Sequence, residues 1–197
     1  MKTSKKTLVF ATNNAHKLAE IQHFLGDQFQ LLTLADIHCS EELPETHATI
    51  PENSLEKASY LYENYKLDCF ADDSGLEVEA LNGEPGVYSA MYAGSQRSHA
   101  DNIALLLQKM QGQANRNAQF RSVISLVTDG QSHQFEGIIK GQITSELHGE
   151  GGFGYDPIFR PEGQQKTFGQ MTMDEKNANN HRTKALSKLL LFLEELR

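Results

Sequence analysis

The sequence predicts an α/β fold in which helices pack on a mixed, twisted sheet, and three observations predict it. Strand-like and helix-like patterns alternate through the first half of the chain. In the second half an Asp129-Gly130 hairpin signal joins two strand-like runs, so the sheet cannot be purely parallel. A length of 197 residues, 39% hydrophobic and 22% charged, suits one globular domain over 1–197, or one core with two lobes.

Each element has its own signal. Thr7 to Thr12 reads as the first strand, and Asn13-Asn14 turns the chain into a helix whose Leu18, Ile21 and Leu25 share a face, with Gly26 as its stop. Gln30 to Leu34 reads as a strand. An acidic loop around Glu41 to Thr49 leads into a helix from Asn53 to Tyr65, carrying Leu55, Ala58, Leu61, Tyr62 and Tyr65. Asp68 to Ala71 returns as a strand. Ile103, Leu106, Leu107 and Met110 mark the next helix, which Ser98 or Asp101 would cap. Phe120 to Val127 and Ser132 to Lys140 are predicted to pair antiparallel across the Asp-Gly turn. A last helix from Asn180 to Leu196 carries Leu186, Leu189, Leu190, Leu193 and Leu196, a broad stripe for docking on the core.

Charge and cysteine content exclude several function classes. With 18 Lys and Arg against 26 Asp and Glu, the formal charge of −8 argues against non-specific binding to nucleic acid or anionic membrane. An anionic ligand must therefore meet a local basic cluster. Cys39 and Cys69 have neither metal-ligand nor redox-motif spacing, which fits reduced, buried thiols in the cytoplasm. Lys2, Lys5 and Lys6 precede Leu8 to Ala11, but that apolar run is too short for a signal-peptide core, and no run of ~20 apolar residues could span a membrane.

Ala71-Asp72-Asp73-Ser74-Gly75-Leu76 is the most informative string. Two carboxylates directly after a buried strand should either cap a turn or hold a cation, because unpaired burial of Asp is costly. A solvated Asp-Ser-Gly turn is the plain alternative. In Thr12-Asn13-Asn14-Ala15-His16-Lys17 a strand, a polar turn and a helix start offer backbone N–H groups suited to phosphate. Lys17 opposes the helix dipole there, a conflict that a bound anion would resolve; a solvated surface lysine is the alternative. The glycines of a P-loop are missing. The run Gly149 to Pro157 surrounds Phe153 and Tyr155 with glycines, so Phe153 reads as a stacking platform and Asp156 as a group that meets the ring edge or orients a basic neighbour. A bulged loop with one buried Phe fits as well. Lys176, His181 and Arg182 flank the start of the last helix, as a site or as a solvated basic surface.

In order and wording these segments resemble the inosine triphosphate pyrophosphatase family. The resemblance rests on Phe10-Ala11-Thr12-Asn13-Asn14 with Lys17, Glu52-Asn53 with Lys57-Ala58, Ala71 to Val78, Gly83 to Ala90, Gly151 to Phe159, and His181-Arg182. It implies two lobes with a nucleotide cleft between them, a homodimer, and Mg²⁺-dependent hydrolysis of ITP, dITP and XTP to the monophosphate and pyrophosphate. It implies Asp73 as the catalytic carboxylate and Mg²⁺ ligand, with Ser74 as a substrate contact. Thr12, Asn13, Asn14, Ala15, His16, Lys17 and Lys57 stand at the phosphate end. Phe153, Gly154, Tyr155 and Asp156 stand at the base end, closed by Lys176, His181 and Arg182. Arg182 is the expected reader of O6, and a donor from the Phe153 to Asp156 loop is expected to face C2. The chain departs from the family at Pro44-Glu45-Thr46-His47, where relatives carry two glutamates before Thr-Gly. Glu45 is the nearest second metal ligand and Glu42 the next. A pyrophosphatase for another modified nucleotide and a non-catalytic nucleotide-binding module are the competing readings; the intact Asp72-Asp73-Ser74 counts against the second.

Overall fold

The computed structural model describes residues 6–25 and 29–195. The Gly26 stop, Leu196, Lys2 and Lys5 lie outside them. The strands are β1 (Lys6–Phe10), β2 (Phe29–Leu32), β3 (Cys69–Val78), β4 (Asn117–Thr128), β5 (Gln131–Ile143) and β6 (Phe159–Pro161). The helices are α1 (Ala15–Leu25), α2 (Ile50–Tyr65), α3 (His99–Lys109), α4 (Met173–Asn177) and α5 (His181–Glu195). Among the described residues the strands form one sheet in the order β2-β1-β3-β4-β5-β6. β1 runs parallel to both β2 and β3, whereas β5 and β6 are antiparallel, so the sheet is mixed as predicted. No helix among the described residues is long and apolar enough to cross a membrane.

The chain divides into two compact units. The described part of the first runs up to Asp73, takes in Val123–Glu136 and resumes at Ala185; the second comprises Ser74–Ser122 and Gly137–Lys184. In the first, Leu8 and Phe10 of β1 pack with Ile21, Phe70, Leu186 and Leu189, and the Phe10 and Phe70 rings stack at 4.7 Å. Val9 and Ala11 face the other way, onto Ala58, Leu61, Cys69 and Val127. Burial on both faces explains why Leu8 to Ala11 is continuously apolar. The second unit has its own core, where Leu76, Leu106, Phe120, Ile139 and Phe159 meet.

Local chemistry sets the boundaries. α2 starts at Ile50, ahead of the expected Asn53, because the Thr49 hydroxyl accepts the Glu52 N–H and Pro51 needs no donor in the first turn. Ser98, not Asp101, caps α3. Asn180 Oδ1 accepts the Thr183 N–H at 2.8 Å, which places the start of α5 at His181. Asp129 and Gly130 both have positive φ, 50° and 74°, as a two-residue hairpin turn that matches the strand twist requires. One expectation is overturned: the strand predicted to stop at Ala71 continues as β3 to Val78, so Asp72 and Asp73 lie inside it rather than after it. A lysine held against each carboxylate offsets the desolvation that would otherwise expel it from a strand.

Candidate functional site

In the first unit the turn after β1 is ordered by its own side chains. Thr12 Oγ1 accepts the Asn14 N–H at 3.1 Å, and Asn14 Oδ1 accepts the N–H groups of His16 at 3.0 Å and Lys17 at 3.2 Å. Two of the backbone donors expected to await a phosphate are thus capped by Asn14. Asn13, Asn14, Ala15 and His16 are exposed, while Thr12 and Lys17 are half-buried. The expected conflict at Lys17 is also resolved differently: its ammonium lies 3.0 Å from Oδ2 of Asp72, whose side chain is fully buried. Asp72 itself supplies the anion.

Lys57, buried on α2, is the centre of the second cluster. Its ammonium donates to the Asp72 carbonyl at 2.8 Å, to Glu45 Oε1 at 2.5 Å and to Asp73 Oδ1 at 3.4 Å. Adjacent strand residues face opposite ways, so Asp72 and Asp73 meet different lysines. Burial alone would lower the Lys57 ammonium, but Asp73, Glu45 and Asp72 outweigh it and hold its pKa above the ordinary lysine range. One shared cation cannot fully compensate each carboxylate. Burial therefore pushes the Asp73 carboxyl up despite the pull of Lys57 and Lys17.

The loop bearing Glu45 is tied down by residues to which the sequence assigned no role. The Asn53 side chain accepts the His47 N–H at 2.8 Å and donates to the His47 carbonyl at 3.1 Å. Glu56 accepts from the Thr46 N–H at 2.8 Å and the Thr46 hydroxyl at 2.7 Å. The polar pair Glu52-Asn53 at the start of a helix was the available signal. Glu42, the second metal candidate, is exposed.

Among the described residues no three His, Cys, Asp or Glu side chains form a metal-holding group. Asp73 Oδ2 is nevertheless buried without a hydrogen-bond partner, and Glu45 sits on the same lysine as Asp73. One or two carboxylate oxygens beside a phosphate ligand are a donor set that fits Mg²⁺, which keeps much of its water.

In the second unit the glycine-rich loop folds onto Asp156. Gly152 has φ 74°, and a Cβ there would run into the Asp156 carboxylate. Asp156 Oδ2 accepts the Phe153 N–H at 2.8 Å and the Lys176 ammonium at 2.7 Å, so Asp156 does orient a basic neighbour. Lys176 Nζ stands 4.7 Å from the Phe153 ring centroid and Arg182 Cζ 5.7 Å from it. Arg182 is 2% exposed, and its Nη2 lies 3.5 Å from Ser74 Oγ. Ser74 in turn donates to Ser122 at 2.9 Å, a partner the sequence did not suggest. Lys176, His181 and Arg182 are all buried, which excludes a solvated basic surface.

Two members of the predicted base end are placed differently. Tyr155 is buried in the core, and its hydroxyl donates to the Ser89 carbonyl at 2.9 Å. His181 stacks on Phe120 at 4.8 Å and 13°. The loop donor expected to face C2 is also constrained, because the N–H groups of Phe153, Gly154 and Asp156 are bonded to Asp156, His99 and the Phe153 carbonyl. A hollow lined by Glu77, Gln119, Lys140 and Arg160 contains none of the predicted site residues.

A profile of the Ham1 family matches residues 8–192. The chain belongs to the Ham1 family. The dITP/XTP pyrophosphatase of Flavobacterium johnsoniae is 51% identical over 93% of this chain and 95% of its own length. That of Porphyromonas gingivalis is 48% identical, covering 94% and 96%. Among solved structures, the Ham1 protein of Staphylococcus aureus superposes with a TM-score of 0.89 at 38% identity, over 98% of this chain and 100% of that one. Membership in the Ham1 family bears out the resemblance read from the sequence blocks, and the Ham1 structures share the predicted α/β architecture.

Proposed function

We propose that this chain is a nucleoside triphosphate pyrophosphatase that hydrolyses dITP, ITP and XTP to the monophosphate and pyrophosphate, keeping deaminated purines out of nucleic acid. The observation that carries the reading is Asp73: a buried carboxylate inside a strand, with Oδ1 on Lys57 and Oδ2 without a hydrogen-bond partner. Close relatives named dITP/XTP pyrophosphatase support the substrate class.

Water attacks the α-phosphorus, the bond from that phosphorus to the bridging oxygen breaks, and pyrophosphate leaves. Asp73 takes the water proton on Oδ2, for which a raised pKa suits it better than an ordinary aspartate. Lys57 holds Asp73 in position and keeps enough positive charge beside it for the carboxylate to ionise. Lys17, braced by Asp72, offers the phosphates ammonium hydrogen bonds at the turn after β1 rather than net positive charge. Asp73 and Glu45 would hold Mg²⁺, which when bound neutralises phosphate charge and acidifies a water.

Base selection falls to the second unit's cluster. Arg182 has donors only, so it satisfies the O6 carbonyl of hypoxanthine or xanthine and clashes with the amino group of adenine. Lys176, a donor-only ammonium held by Asp156, replaces the loop N–H as the group that disfavours the C2 amino group of guanine. Phe153 stacks on any base.

The test is a panel of ITP, dITP, XTP, GTP, ATP and a modified pyrimidine triphosphate, scored by pyrophosphate release. ITP should give IMP and pyrophosphate without IDP, and EDTA should abolish turnover. Orthophosphate as first product would overturn the bond assignment, and preference for the pyrimidine would overturn the substrate class. The working form we propose is a homodimer, for which exposed Tyr88 and Met91 offer apolar surface. Its place is the cytoplasm, in keeping with the free thiols of Cys39 and Cys69.

A further inference from the structure

The Phe153 loop is held both by bonds within it and by bonds from elsewhere in the second unit. Gly152 and Gly154 both have positive φ, 74° and 60°, and no side chain lies within 4 Å of where a Gly154 Cβ would be. Asp156 holds the Phe153 N–H from within the loop, and the Tyr155 hydroxyl bonds the Ser89 carbonyl. That carbonyl belongs to a segment which Asn102 clamps: its side chain accepts the Ala93 N–H at 2.7 Å and donates to the carbonyls of Ser89 and Ala90 at 3.3 and 3.0 Å. From the first turn of the same helix α3, His99 presents Nδ1 to the Gly154 N–H at 3.2 Å, with its ring 6.3 Å from that of Phe153.

We infer that His99 is a positioning residue for base recognition: as a hydrogen-bond acceptor at Nδ1 it fixes the Gly154 peptide and thereby the attitude of the Phe153 ring. The inference rests on the nucleotide reading above for its functional half, and on geometry alone for its structural half. In this contact the Gly154 N–H donates and Nδ1 accepts, so the side chain is needed here as an acceptor. His99 acts through the Gly154 peptide, beside the Phe153 ring. Its loss should therefore weaken all bound purines together without altering the chemistry at Asp73. Gly154 also carries the chain onward at φ 60°, which other residues rarely adopt.

The experiment compares wild type, His99→Ala, His99→Leu and His99→Asn, each checked for fold by circular dichroism. Asn places an amide oxygen about where Nδ1 stands, whereas Ala and Leu offer no acceptor. His99→Ala and His99→Leu should raise KM for dITP and XTP by about 5–10-fold, the worth of one neutral hydrogen bond, with kcat within about twofold. His99→Asn should recover most of that loss. Independently of turnover, amide exchange at Gly154 followed by NMR should speed up about tenfold in the Ala variant and slow again in the Asn variant. Unchanged exchange at Gly154 in folded His99→Ala overturns the inference, as does an Asn variant no better than Ala. If wild type cleaves none of these nucleotides, the nucleotide reading fails while the exchange comparison still decides whether His99 holds the loop.

Discussion

Asp73 is ionised only at a cost that Lys57 offsets in part, and that balance makes single-residue predictions sharp. Asp73→Asn should lower kcat by at least ~10²-fold with folding intact, the low end for loss of a general base. Near wild-type turnover in the folded variant would remove Asp73 from that role. Lys57 is the strongest pull opposing the burial that pushes the Asp73 carboxyl up. Replacing Lys57 by Met should therefore push it higher still, moving the acid limb of kcat/KM to higher pH; an unmoved limb would show that Lys57 does not hold that charge. Arg182→Ala should cost roughly 1.5–3 kcal/mol of ITP transition-state binding and narrow the ITP:ATP ratio. Phe153→Ala should instead weaken every nucleotide alike by about 1–3 kcal/mol, because stacking is blind to the base. Kinetics on ITP, XTP, GTP and ATP separate the two outcomes. At this scale residue types were legible and pairings were not: nothing in the string reveals that Asp72 belongs to Lys17 and Asp73 to Lys57.

Element boundaries were legible at the local Asp-Gly turn, missed at the Thr49 cap that starts α2 ahead of Asn53, and misplaced at β3, where distant partners set them. The Asp129-Gly130 hairpin needs nothing beyond its own residues. β3 was cut short at Ala71 because propensity counts Asp against a strand, while the lysines that neutralise the pair come from α1 and α2. The glycine loop shows the converse, since its openness was plain and its partner Asp156 was already a member of the string. Gly152→Ala should damage that loop twice over, through a positive φ costing about 1–2 kcal/mol and through collision with the Asp156 carboxylate. KM for all purines should rise while the pH profile set by Asp73 stays put. A variant with wild-type KM would mean the loop can accommodate a Cβ.

For the molecule as a whole, stability at alkaline pH reports on a core thiol. Burial first, and the charge of Asp68 second, push the Cys69 thiol up to about 12 from 9.0. The folded pKa is the higher one, so Cys69 contributes stability that is fully present below pH 9 and is lost as pH rises toward 12. That slope is at most about 1.4 kcal/mol per pH unit. Denaturant unfolding of wild type and Cys69→Ala between pH 8 and 10.5 should give the flatter dependence for the variant, and equal slopes would exclude the thiol. The sequence by itself determined the α/β class, the order of the main elements and the chemistry of each segment, because periodicity, turn residues and motif wording are properties of neighbouring positions. Only the tertiary structure decided which polar groups meet: Lys57 between Glu45 and Asp73, Lys176 on Asp156, Arg182 against Ser74 and His99 on Gly154. Those contacts join residues far apart in the chain, and for Lys57 with Asp73 and Lys176 with Asp156 the energy that selects them comes from burying both partners together, which no local pattern records.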